Sequence, residues 1–182
     1  MQIIFRKFPC ICFVMMALLV LAASPCFAVE GDLEEEVQQT IQRFQTAEPQ
    51  TISLFQSAYG YMVFPRIEKG AAIAGGAYGE GLVYEQGKLV GQAKMTHITV
   101  GVQAGGGTYA EVIFFENEST MNPFKKSEII ASKQASAFGP HDSDSANLSD
   151  RPGMSIFTLN RTGGFLEASV GAEKITFCPL AQ

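Results

Sequence analysis

The sequence predicts an α+β fold: a glycine-rich antiparallel β-sheet, strongly curved or barrel-like, with N-terminal helices packed on it. Two observations carry this expectation. Helical hydrophobic period is confined to about residues 32–58, and from Tyr59 onward the pattern changes to short β-rich segments punctuated by glycine. The links between those segments are short, and a parallel crossover needs a dozen or more residues, so neighbours in sequence pair antiparallel.

In chain order, Leu33, Val37, Ile41 and Phe44 recur at intervals of three or four and define the first helix. Asp32 suits its N-cap, and Glu34, Glu35 and Glu36 suit the positive end of its dipole. A second, shorter helix opens at Pro49, which the first helical position tolerates, and is expected to carry Ile52 and Phe55 inward. Strands are expected near Tyr61 to Phe64, Ala71 to Tyr78, Gly81 to Glu85, Leu89 to Thr96, Thr99 to Gly106 and Tyr109 to Phe115. Gln86-Gly87-Lys88 reads as a hairpin turn. A helical turn follows near Ser119 to Lys126, and the stretch from Glu128 to Ala137 fits neither period. Strands resume at Met154 to Asn160, Phe165 to Gly171 and Lys174 to Cys178, with Arg161-Thr162-Gly163-Gly164 read as a hairpin.

Of the 18 glycines, 11 fall between Gly70 and Gly107, too many for turns alone. Glycine weakens a strand unless it makes a bend, a bulge or a close approach, so the expected sheet coils tightly. Close approach of a ligand to bare backbone is the rival explanation.

The N-terminus differs in kind. Arg6 and Lys7, an apolar run from Ile11 to Ala23, and Ser24-Pro25-Cys26-Phe27-Ala28 have the three-part layout of a secretory leader over residues 1–28, cut after Ala28. A retained anchor is the rival, since Phe8 to Ala28 is nearly long enough to span a bilayer. Acylation at Cys26 fits less well, because Pro25 and Ala23 make a poor processing site. A single domain, residues 29–182, is expected in the periplasm or outside the cell. Losing Arg6 and Lys7 takes 13 basic groups to 11 against 18 acidic ones, a charge of −7. An acidic surface disfavours nucleic acid, whose binding rests on neutralising phosphates. Cys10, Cys12 and Cys26 leave with the leader, so Cys178 has no partner for an internal disulfide and is expected to be a buried structural thiol.

Catalytic motifs are missing. GGAYGEG (Gly75 to Gly81) runs into a strand rather than a helix, so it lacks the context of a dinucleotide fingerprint. No GxSxG elbow occurs, and only His97 and His141 offer imidazole; His97 alternates within a strand and reads as packed or surface. His141, Asp142 and Asp144 lie in a polar loop, Ala137 to Gly153, without the glycine and distal glutamate of a calcium loop. The expectation is a protein that is not an enzyme and needs no cofactor or metal.

Three segments in order are more specific than any of these motifs: FPRIEKGAAIAGGAYGEG (Phe64 to Gly81), GQAKMTHITVGVQAGGGTYAEVIFFEN (Gly91 to Asn117) and GGFLEASVGAEKITF (Gly163 to Phe177). Together they resemble the SYLF lipid-binding domain family, with Phe64-Pro65, Lys69-Gly70, Tyr78-Gly79, Gln103, Phe114-Phe115 and Gly164-Phe165 among the matching positions. The resemblance implies a non-enzymatic module that binds membrane lipids, phosphoinositides included in eukaryotic members, and that bundles actin in fungi. Bacterial relatives are exported or lipid-anchored. Here the first helix opens with three glutamates, which an anionic surface repels, and a bacterial periplasm holds no actin.

The function expected is therefore an exported module at the cell envelope whose partner is a membrane lipid or another apolar ligand. Headgroup contacts fall to Arg66, Lys69 and Lys94, in or beside the matching segments, with Lys125 and Lys126 as a second pair. The alternative is a structural or protein-interaction module of the envelope, using an exposed edge strand or helix face and no lipid.

Overall fold

A computed structural model describes residues 31–71, 74–127, 129–138 and 152–180. The segment expected to be a leader and the loop residues His141, Asp142 and Asp144 lie outside them. Helix α1 spans Gly31–Ala47 and α2 spans Gln50–Ser57. The first already includes Gly31, so Asp32 sits within its first turn instead of capping it, and with Glu34, placed there as expected, it faces the positive dipole end. Val37, Thr40 and Phe44 form its buried stripe. In α2 the inward residue is Thr51, whose hydroxyl donates to the Glu48 carbonyl at 2.8 Å, and Ile52 is exposed, contrary to expectation. Phe55 does face inward, packing edge-on against Tyr61 and Phe114 at 5.1 and 4.8 Å.

The strands are β1 (Gly60–Ala71), β2 (Ala74–Glu85), β3 (Lys88–Phe115), β4 (Ile129–Phe138) and β5 (Met154–Pro179), with α3 (Glu118–Lys125) between β3 and β4. They form one antiparallel sheet in the order β1-β2-β3-β5-β4, and β1 also pairs with β3. The fold is α+β, and no pairing among the described residues closes the sheet into a barrel. Between β2 and β3, Gln86 and Gly87 both take positive φ, 51° and 75°, as a two-residue turn of the primed kind requires.

The strands are fewer and longer than the sequence suggested. β3 is continuous: its first half, Lys88 to Val100, pairs with β2, and its second, Gly105 to Phe115, pairs with β1. It thus passes across the tip of the β1–β2 hairpin and changes partner there. β5 follows β3 from Met154 opposite Phe115 to Pro179 opposite Gly91. The hairpin expected at Arg161 to Gly164 does not form; Arg161 is a bulge, left over between the pairs Tyr109 with Asn160 and Thr108 with Thr162. β4, in the stretch that fitted neither period, pairs with β5 from Ile129 opposite Lys174 to Phe138 opposite Phe165.

Proline and glycine explain the local irregularities. Pro65 has no N–H to give the ladder, and both of β1's pairings shift register there. Across that bulge the β1 backbone presses on β2. A Cβ added at Gly81 would collide with the Val63 carbonyl, and one at Gly79 would stand 2.8 Å from the Arg66 carbonyl oxygen. Glycines read as breaks between strands therefore sit inside them.

Apolar side chains gather on both faces. On one, Val63, Leu82, Tyr84, Val112, Phe114, Phe157 and Leu159 pack under Val37 and Phe44 of α1. On the other, which we call the inner face, Met62, Phe64, Val83, Met95, Ile113, Phe115 and Ile175 pack with Met121 and Phe124 of α3. The helix α3 is held at its start by Asn117, whose side chain accepts from the Thr120 N–H at 3.1 Å.

Candidate functional site

Alternation along each strand sorts the remaining polar and apolar residues. On β3, Ala93, Met95, His97 and Thr99 are buried inward, whereas Thr96, Ile98 and Val100 are exposed outward. On β1, Ile67 and Lys69 turn inward, and Arg66 and Glu68 outward. Two features at the end of the sheet away from α3 follow from this sorting.

The first is a buried polar layer on the inner face. Lys69, His97, Thr99, Glu111 and Thr158 are each less than a tenth exposed. The register sets Glu173 opposite His97, His97 opposite Ala77, and Ala77 opposite Lys69, while Glu111 faces Thr158. Burial pushes the Glu111 carboxyl well above the usual carboxylate range; the charge of Glu173 raises it further and the Lys69 ammonium only partly opposes this. The surroundings of Glu111 thus favour its protonated form. The Thr158 hydroxyl beside it has no hydrogen-bond partner among the described residues, which costs about 1–3 kcal/mol.

The second is an apolar patch on the opposite, outward face. Tyr78, Ile98 and Val100 are 47%, 62% and 61% exposed and occupy adjoining positions on β2 and β3, with Gly76 opposite Ile98. The Tyr78 hydroxyl donates to Glu80 at 2.5 Å, and Lys94 pairs with the same carboxylate at 3.1 Å. Lys174, opposite Thr96, adds an exposed ammonium on that face.

The five cationic candidates do not converge. Arg66 is outward, 3.9 Å from Glu36, and Lys69 is buried on the other side of the same strand. Lys94 borders the patch. Lys125, on α3 at the far end of the sheet, lies 2.7 Å from Glu85, which also accepts from Tyr59 at 2.5 Å. That hydrogen bond, with partial burial and the carboxylate's charge, pushes the Tyr59 phenol up to about 12, while Lys125 first and Tyr59 second hold Glu85 below its usual range. Lys126 is the exposed C-cap of α3.

His97 is packed, as expected, and Cys178 is half-buried rather than buried. Sequence reasoning missed Glu111, Thr158 and Glu173. The available signal was polar residues at the inward parity of strands whose other inward residues are apolar, but placing β5 beside β3 needs the fold. Among the described residues no three His, Cys, Asp or Glu converge as metal ligands, and no helix is long and apolar enough to cross a membrane.

Comparison with known proteins returned no matching family model, curated protein or solved structure.

Proposed function

We propose that the chain is an exported, non-enzymatic module of the SYLF type that binds lipid at the cell envelope through the outward apolar patch. The observation that carries this reading is the grouping of Tyr78, Ile98 and Val100 on one sheet face beyond the cover of α1 and α2. Scattered exposed apolar residues are ordinary, but a tyrosine beside two β-branched aliphatics with lysines at the border has the composition of a membrane-contacting surface. Burying such side chains gives about 1.5–3 kcal/mol each, enough for reversible adsorption. Electrostatics contributes little: Lys94 is neutralised by Glu80, and the acidic opening of α1 disfavours an anionic bilayer. A strongly curved, barrel-like sheet belongs to the same reading, supported by β3 changing partner across the hairpin tip.

Vesicle flotation of the protein purified from an exporting host tests this. The protein should float with phosphatidylcholine vesicles at low and high salt, and the Ile98→Glu, Val100→Glu double variant should stay at the bottom. No flotation with any lipid class sinks the proposal. A stable protein partner that survives lipid extraction, with the patch beneath it, would favour the protein-interaction alternative.

A further inference from the structure

Bonding in an antiparallel ladder alternates, so one hydrogen bond fixes which residues turn toward the partner strand and which turn away. At the start of β5 the Glu116 N–H donates to the Gly153 carbonyl at 2.9 Å, and the register runs unbroken from Phe115 with Met154 to Tyr109 with Asn160. Ser155, Phe157 and Leu159 therefore bond to β3, while Met154, Ile156 and Thr158 turn their N–H and C=O groups to the outer edge. The far half of β5 alternates in the same way: the Leu180 N–H donates to the Val90 carbonyl, so Phe177 turns outward, and there its N–H meets the Ser127 hydroxyl at 3.2 Å. β4 covers the edge only from Phe165 to Lys174. Among the described residues nothing pairs with the backbone of Met154, Ile156 or Thr158.

Exposed edges are ordinarily blunted by charge, proline, a bulge or short length. Met154 to Asn160, MSIFTLN, has neither charge nor proline, and its bulge comes only afterwards, at Arg161. Thr158 is a second sign of a missing neighbour: the residue is 5% exposed and its hydroxyl has no hydrogen-bond partner among the described residues. Two clefts flank this edge on the face that carries α1 and α2. One, of about 340 Å³, lies between α2 and Ser155 and is lined by Leu54, Ala58, Phe114 and Met154. The other, of about 580 Å³, lies between α1 and Leu159 and presents Gln39, Gln42 and Arg43. Ser155 and Leu159 are four residues apart on one face of the strand, about 13 Å.

We infer that the edge from Met154 to Thr158 accepts an extended segment of another polypeptide as an added strand. Only an extended chain presents donors and acceptors at the spacing of a strand edge, and the clefts receive its side chains at two positions four residues apart. The position at Ser155 takes an apolar side chain. The position at Leu159 takes an amide or a carboxylate, facing the Arg43 guanidinium, and a hydroxyl across from Thr158 supplies the bond that Thr158 lacks. A second copy of this chain fits less well. Continuing the sheet edge to edge about a two-fold axis puts the copy's own helices on the same face, at the same clefts, and two chains of charge −5 repel. Neither the edge nor its clefts involve the outward patch on β2 and β3.

Amide hydrogen exchange in the protein purified from an exporting host reads the edge directly. Ile156 and Thr158 should exchange fast, and Phe157 and Leu159 slowly; protection at all four means that the edge is already covered and overturns the inference. Random nine-residue peptides displayed on phage are then selected on the same protein. Selected peptides should carry an apolar residue and, four places away, Asp, Glu, Asn or Gln. They should protect Ile156 and Thr158, and lose about tenfold in affinity on N-methylation of one edge-facing amide. Ser155→Lys, which sets a charge beside the apolar cleft, and Ile156→Pro, which removes one outward N–H and spares the bonds to β3, should each weaken them by about as much. Peptides that bind both variants unchanged, or no selected peptide at all, would overturn the inference. So would a dimer in sedimentation that Ile156→Pro disperses, which assigns the edge to a second copy.

Discussion

The two ends of the same strands follow different rules. At the α3 end, Met62, Val83, Ile113 and Phe115 fill the inner face, the rings of Phe115 and Phe124 pack tilted at 5.0 Å, and Tyr59, Glu85 and Lys125 tie helix to sheet. At the other end the inner face holds Lys69, His97, Thr99 and Glu173, and the outward face leaves Ile98 and Val100 in water. One end satisfies every preference of a stable core. The other contradicts two of them at once, by burying ionisable groups and exposing aliphatic ones, and such departures mark function more often than structure.

The largest expected difference between the ends is in packing. Phe115→Ala, in a fully buried position, should cost about 3–5 kcal/mol in urea denaturation, whereas Ile98→Ala should change stability by less than about 0.5 kcal/mol. Equal losses at the two sites would erase the distinction. The glycines sharpen it next. Gly81→Ala forces a methyl against the Val63 carbonyl and should destabilise by about 1–3 kcal/mol, while at Gly76, toward the other end of the same strand, the nearest atom to an added Cβ is 3.7 Å away and the change should be close to neutral.

The two ends should differ in the sign of their pH dependence: Glu85 at the α3 end, held low, loses its contribution as pH falls, whereas the polar end loses stability as pH rises. With its native value raised, Glu111 contributes stability that is fully present below the ordinary glutamate value of 4.5 and is lost as pH rises through the native one, because the unfolded chain gives up the proton first. Stability in urea denaturation should therefore fall across this window in the native protein, and Glu111→Gln should flatten the fall. Parallel curves for the two proteins would show that the carboxyl is not held neutral. The smallest effect belongs to the ion pair beneath α1: Arg161→Ala loses contacts to Glu36 and Pro65 and should cost about 1 kcal/mol, since both partners are partly exposed.

The class of fold was legible because periodicity is local. Leu33, Val37, Ile41 and Phe44 announce α1 without reference to anything distant, and Gln86-Gly87 announces its turn. Strand boundaries were not legible, because glycine has two uses that look alike in one dimension. Gly79 and Gly81 resemble a break, yet they lie within β2 where the bulged β1 presses on it, and the glycine pair after Thr162 lies within β5. The site residues fared similarly. Arg66, Lys94 and Lys125 are cations in glycine-rich or helical context, but only the fold places a glutamate beside each, and only the register of β5 against β3 sets Glu173 opposite His97.

Because the chain contains no tryptophan, a single introduced one reports on its own surroundings. Ile98 in the patch and Ile52 on α2 are both exposed aliphatics, 62% and 43%, on different parts of the surface. On addition of phosphatidylcholine vesicles, the emission of Ile98→Trp should move to the blue as the indole leaves water, and that of Ile52→Trp should not move. A blue shift at position 52 alone, or at neither position, would contradict lipid contact through the outward face of β2 and β3.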